Sequence, residues 1–198
     1  MKPEPASEKL QAVVIGASAG AVEALMRLLP ALPGNYPLAL IIVVHLPPHC
    51  DSTLATLLAA RCQIRVKEAE DKEPIRPGTA YLAPANYHLL VEPEGQLSLS
   101  SDDPVFYSRP SIDVLFESAA DAYGSAVAGV VLTGANSDGA KGLRAICNAG
   151  GLALVQTPAS ADAPAMPQAA LGLCPTARAL SLDQMTEALK TELPRWRP

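Results

Sequence analysis

A chain of 198 residues, 49% hydrophobic and 18% charged, is long enough for one packed domain and is globular rather than disordered in composition. Aromatics are only 4%, the formal net charge is −5 and the sequence pI is near 5.2, which argues against base-stacking platforms and against nucleic acid as the main partner. The start Met1-Lys2-Pro3-Glu4-Pro5 lacks an apolar signal segment, and the longest apolar run, Leu38 to Val44, is far short of a membrane span. A cytoplasmic protein that is not membrane-inserted is expected.

Residues 1–10 read as a mobile tail, and residues 11–198 as a single domain. Gln11 to Gly16 is an apolar run ending in glycine, the pattern of a buried strand. Val22, Leu25, Met26, Leu28 and Leu29 then fit one face of a helix, stopped by Pro30 and Pro33-Gly34. Leu38 to Val44, continuous and β-branched, predicts a second buried strand. Pro47-Pro48 breaks the chain, and Asp51-Ser52 caps a helix to about Arg61. A short strand at Ile64–Val66 precedes the acidic, proline-containing stretch Glu68 to Gly78. Thr79 to Pro84 reads as a strand, and His88–Val91 and Gln96–Leu99 flank the turn Glu92-Pro93-Glu94-Gly95 as a hairpin.

The second half returns to alternating units. A helix is expected from Pro110 to Tyr123, with proline in its first turn. Ala126 to Leu132 predicts a strand, Gly139 to Asn148 a helix closed by Gly150-Gly151, and Leu152 to Val155 a strand. A short helix at Met166–Leu171 and a terminal helix at Leu182–Leu189 complete the set. Alternation with continuous apolar strands implies an α/β fold: a doubly wound, mostly parallel sheet flanked by helices, with the antiparallel hairpin as an addition. Cys50, Cys62, Cys147 and Cys174 contain no CxxC pair, and the expectation is buried free thiols with no metal site and no disulfide framework.

Chemistry in an open parallel sheet gathers at the carboxyl ends of its strands. Ser18 follows the first strand in Gly16-Ala17-Ser18-Ala19-Gly20, His45 ends the second, and Asp138 follows the strand ending Val131-Leu132. Nucleophile, general base and orienting carboxylate are the residue types of serine-based acyl transfer. Each has another use: Ser18 as a helix cap, His45 as a structural histidine, Asp138 as a helix-start acid. His49-Cys50 raises a metal question that no HExxH-type spacing supports, and His88 either lines a pocket or faces solvent. Asp113, inside the Pro110 helix, is the competing acid. A dinucleotide site is disfavoured, because Ser18 and Ala21 replace glycines of GxGxxG and His45 stands where a ribose-binding acid belongs. The order Ser, His, acid also departs from that of α/β-hydrolases.

Taken together, several segments resemble the catalytic domain of the chemotaxis protein-glutamate methylesterase family, CheB. They are Val13 to Ser18 with Val22-Glu23-Ala24-Leu25, Val43 to Pro48, Ala83-Pro84 with His88-Leu89, Arg109 to Asp113, Leu132-Thr133-Gly134 with Asp138-Gly139-Ala140 and Gly142-Leu143, and Met166-Pro167 with Ala169-Ala170. The resemblance runs from about Ala12 to the last helix. It implies a cofactor-free serine hydrolase that removes methyl esters from glutamate side chains of chemoreceptors or receptor-like proteins, and a related deamidation of receptor glutamines. By position it makes Ser18 the nucleophile, His45 the base and Asp138 the acid, with oxyanion donors near Ala19 and around Ala135. The chain departs from the family at Ala19 and Ala21, where threonine and a second glycine are usual. It departs again at Thr133-Gly134-Ala135-Asn136, where the family reads TGMG. No receiver domain is visible, so control by a separate receiver protein is the corresponding expectation. The alternative is a non-catalytic signalling module that keeps the fold.

Overall fold

The computed structural model describes residues 9–45, 53–105 and 107–196. In chain order the elements are β1 (Ala12–Ala17), α1 (Ala21–Leu28), β2 (Ala39–Val44), α2 (Thr53–Ala59), β3 (Arg65–Glu68), β4 (Thr79–Leu82), β5 (His88–Val91) and β6 (Leu97–Ser100). There follow α3 (Ile112–Tyr123), β7 (Val127–Val131), α4 (Ala140–Asn148), β8 (Leu152–Gln156), α5 (Ala165–Leu173), β9 (Arg178–Leu180) and α6 (Leu182–Glu187). Seven strands form one parallel sheet in the order β3-β4-β2-β1-β7-β8-β9, and β5 with β6 makes a separate antiparallel pair.

The central strands β1, β2 and β7 are buried at every position, which explains their unbroken apolar runs. Their side chains alternate between two cores. Val13, Ile15, Leu40, Ile42 and Val130 face α1, α2 and α6. Val14, Ile41, Val43, Val127 and Val131 face α3, α4, α5 and the hairpin. Helices on both faces leave the carboxyl edge of the sheet open between β2, β1 and β7, where the chain turns to opposite sides of β1.

Three expectations change. The helix predicted from Pro110 begins at Ile112, with Ser111 as its N-cap, because a serine hydroxyl can accept a helix N–H and proline cannot. β9 has no apolar run to announce it; it forms because the open edge of β8 offers a ladder, pairing Leu154 to Arg178 and Gln156 to Leu180. Cys147 and Cys174 are joined as a disulfide, with Cα atoms 6.8 Å apart, rather than standing as free thiols. The ends of α4 and α5 meet in space, which sequence spacing does not reveal. Cys62 is free. The first eight residues of the expected tail, the cap at Asp51-Ser52 and the pair His49-Cys50 lie outside the described residues.

Candidate active site

Parallel register brings two of the three candidates side by side. Ala17 pairs with Val44, and the His45 N–H donates to Ala17 O at 3.1 Å, so Ser18 and His45 leave neighbouring strands together. Ser18 N–H donates to Thr133 O at 2.9 Å, and the Thr133 hydroxyl donates to Ala19 O at 2.8 Å, stitching the serine turn to the loop after β7. That loop is held in turn by buried Gln156, whose Oε1 accepts the Thr133 N–H at 2.9 Å. Gly20 starts α1 at φ 81°, and a Cβ there would lie 2.5 Å from Asp162 Oδ2, so the turn requires glycine.

Asp138 is fully buried, and its Oδ2 accepts from His45 Nε2 at 2.8 Å. The same carboxylate caps the start of α3, accepting from Ile112 N–H at 2.7 Å, Asp113 N–H at 2.9 Å and the Ser111 hydroxyl at 2.9 Å. Burial alone would raise its pKa. The hydrogen bonds from His45, Asp113 and Ile112, with the attraction of His45, outweigh burial and hold the carboxyl below its ordinary value.

Asp113 does not touch His45. Its Oδ1 accepts from Gly139 N–H at 2.9 Å and Gly142 N–H at 2.8 Å, at the start of α4. The two aspartates therefore exchange caps: the acid before α4 closes α3, and the acid in the first turn of α3 closes α4. Burial pushes the Asp113 carboxyl up, the Gly142 and Gly139 N–H groups pull it down, and the charges of Asp138 and Glu117 push it further up; the net shift is upward. Its Oδ2 is buried with no hydrogen-bond partner.

Histidine 88 is buried rather than solvent-facing. Its Nδ1 accepts the Ser111 N–H at 3.1 Å and its Nε2 lies 3.1 Å from Asp103 O, so it fixes the cap residue that reaches Asp138. His45 itself shares a cavity of about 200 Å³ with Ala85, Asn86, Tyr107, Ser108 and Arg109. On its free edge Nδ1 lies 3.3 Å from Asn136 Nδ2. The Ser18 hydroxyl is half-buried and bonds to no described residue. In the sequence Asn136 stands out only as a departure from a family pattern, and neither Ser111 nor Gln156 carries a mark of its role at the site. A polar residue within two positions of a candidate acid was the signal for Asn136; the other two carry none.

This arrangement supplies a hydroxyl at a strand-to-helix turn, an imidazole beside it and a buried carboxylate behind the imidazole. The family model described as CheB methylesterase matches residues 13–189. A Leptospira interrogans protein, bearing in provisional form the name protein-glutamate methylesterase/protein-glutamine glutaminase, is 45% identical over 89% of this chain and 92% of its own length. The protein-glutamate methylesterase/protein-glutamine glutaminase of Salmonella typhimurium is 39% identical over 94% of this chain, which spans 54% of that protein. The crystal structure of the Thermotoga maritima CheB methylesterase catalytic domain is similar with a TM-score of 0.87 and 32% identity, over 92% of this chain and 98% of that one.

Proposed function

The chain belongs to the CheB methylesterase family, and from that premise we propose that residues 11–198 form a single protein-glutamate methylesterase domain with Ser18, His45 and Asp138 as its triad. The substrate is the methyl ester of a glutamate side chain on a chemoreceptor or receptor-like protein, met in the cytoplasm. A glutamine side chain on the same receptor is a second substrate, and a separate receiver protein is the partner proposed for control. Among the described residues no helix is long and apolar enough to cross a membrane. The observation that carries the reading is the 2.8 Å bond from His45 Nε2 to buried Asp138, with Ser18 at the adjacent register position.

Because Nε2 is committed to Asp138, Nδ1 is the atom that takes the Ser18 proton. Ser18 Oγ then attacks the ester carbonyl carbon, and the oxygen becomes an oxyanion. The N–H groups of Ala19 and Ala135 are exposed and donate to no backbone carbonyl of the described residues, which leaves them free for that oxyanion. Collapse breaks the bond to methoxide, which leaves as methanol with the proton from Nδ1. Water, deprotonated by the same nitrogen, then attacks the acyl-enzyme carbonyl; the bond to Ser18 Oγ breaks, Nδ1 returns the proton to that oxygen, and the glutamate carboxylate leaves. A glutamine follows the same steps and loses ammonia. Support for catalysis over a non-catalytic module comes from the intact set of three side chains and the burial of Asp138.

Ser18→Ala should lower methanol release from a methyl-esterified receptor fragment by roughly 10⁴ or more, measured by gas chromatography. Wild-type rates in that variant would remove the assignment.

A further inference from the structure

The loop ahead of Asp138 bears a side chain that contacts His45 on the edge opposite the acid. Asn136 Oδ1 accepts the Asp138 N–H at 3.1 Å, so the other end of its amide, the Nδ2 donor, is what lies 3.3 Å from His45 Nδ1. A donor at Nδ1 requires a lone pair there, and the acceptor Asp138 Oδ2 at Nε2 requires a proton there. Both neighbours thus select one neutral tautomer of the imidazole. They differ once His45 is doubly protonated: Asp138 then faces a cation and gains, whereas Asn136 Nδ2 meets an N–H and loses its bond.

We propose that Asn136 is a positioning residue for the triad, setting the Nε2–H tautomer of His45 and holding its Nδ1 lone pair until substrate brings Ser18 to it. The proposal rests on the triad reading for its catalytic meaning, but not for its geometry. It predicts that Asn136 disfavours the imidazolium, opposing Asp138. Among the described residues lining the His45 cavity, the other charged or titratable groups are Arg109, whose Nη1 donates to Ser101 O and Asp102 O at 2.8 and 3.0 Å, and Tyr107; Ser18, on the β1 side, is neutral. Among the described residues, Asn136 is the side chain that meets Nδ1. The family pattern TGMG has a glycine at this position, where this chain has Asn136.

The test is a titration of the His45 ring by ¹⁵N NMR in the full chain, beside the pH profile of kcat. Asn136→Ala removes the donor, and Asn136→Asp keeps an oxygen for the Asp138 N–H while placing an acceptor at Nδ1. The midpoint of His45 protonation should rise by roughly half a pH unit or more in N136A, the scale of one lost hydrogen bond, and further in N136D. The neutral ring should also lose its single-tautomer ¹⁵N pattern in N136A, and the acid limb of kcat should follow the midpoint with KM little changed. Coincident titrations in wild type, N136A and N136D would overturn the proposal, even if one variant were less stable. If the titration moves as stated but Ser18→Ala keeps its activity, the positioning role stands and the triad reading fails.

Discussion

Asp138 bonds to His45 on one side and to the start of α3 on the other, so its removal has two separable effects. Asp138→Ala strands several buried donors, each of which loses about 1–3 kcal/mol when left unpaired. Urea unfolding should therefore show a loss of about 3 kcal/mol or more. Asp138→Asn keeps an oxygen for some of those donors, yet cannot hold the same tautomer of His45; its kcat should fall by roughly 10⁴ while it remains folded. The acid dependence has a definite sign. A carboxyl whose pKa is depressed on folding adds stability above its ordinary value, near 3.9, and loses it as pH falls through the depressed value. The stability gap between wild type and D138N should narrow over that acid window. Ser18, His45 and Asp138 were legible in the sequence as polar residues placed just after apolar runs. Asn136 and Ser111 were not, because their importance lies in which atom of a distant side chain they meet.

The exchange of caps between α3 and α4 makes the acid loop and the α3 start one unit. Asp113 opposes Asp138 in its pH response, since its carboxyl is raised by burial and by the neighbouring charge. A raised carboxyl gives stability that is complete below the ordinary aspartate value and is lost as pH rises through the raised one. Asp113→Asn keeps the acceptor for Gly139 and Gly142 and cannot ionise. Its melting temperature relative to wild type should therefore rise as pH climbs above the ordinary aspartate value, near 3.9. A flat difference across that range would show that Asp113 does not change its charge there. The disulfide between the ends of α4 and α5 acts at the same scale. Cys147→Ser with Cys174→Ser should lower the unfolding free energy by about 3–4 kcal/mol on the chain-entropy account of a closed loop with a sequence separation of 27. Helix and strand positions were largely legible from periodicity. The start of α3, the strand β9 and the disulfide were not, since each depends on a partner distant in sequence or on the chemistry of a cap.

Across the whole molecule, two cores share one sheet, and the start of α3 that meets Asp138 belongs to one of them. Ile112 packs against both β1 and the acid loop: a Cβ on Gly16 would fall 2.2 Å from its Cγ2, and one on Gly139, at φ 93°, 2.7 Å from it. Leu189 is equally buried but belongs to the opposite core. Each truncation to alanine should reduce stability by about 2–5 kcal/mol. Leu189→Ala should leave kcat within about twofold below its melting transition. Ile112→Ala should lower kcat by roughly tenfold or more, because it loosens the seat of Asp138 against β1. Equal kcat values in the two variants would show that the site is insulated from both cores.

An α/β fold followed from aliphatic content and uninterrupted apolar strands, because strands buried on both faces need helices on both sides. The same composition set the acidic balance and limited the aromatics, and the order of small and polar residues after each strand marked where chemistry would sit. The sequence already favoured Asp138 over Asp113 as the acid beside His45, because Asp138 follows a strand and Asp113 lies within a helix; tertiary structure decided what each carboxylate touches. Asp113 and Asp138 both lie near helix starts, Asp138 after β7 and Asp113 within the first turn of α3. The crossing of α3 over the β1 and β7 ends turns one carboxylate toward the imidazole and the other toward the backbone of α4. The exchange of caps is made by direction in space, which a linear pattern does not carry.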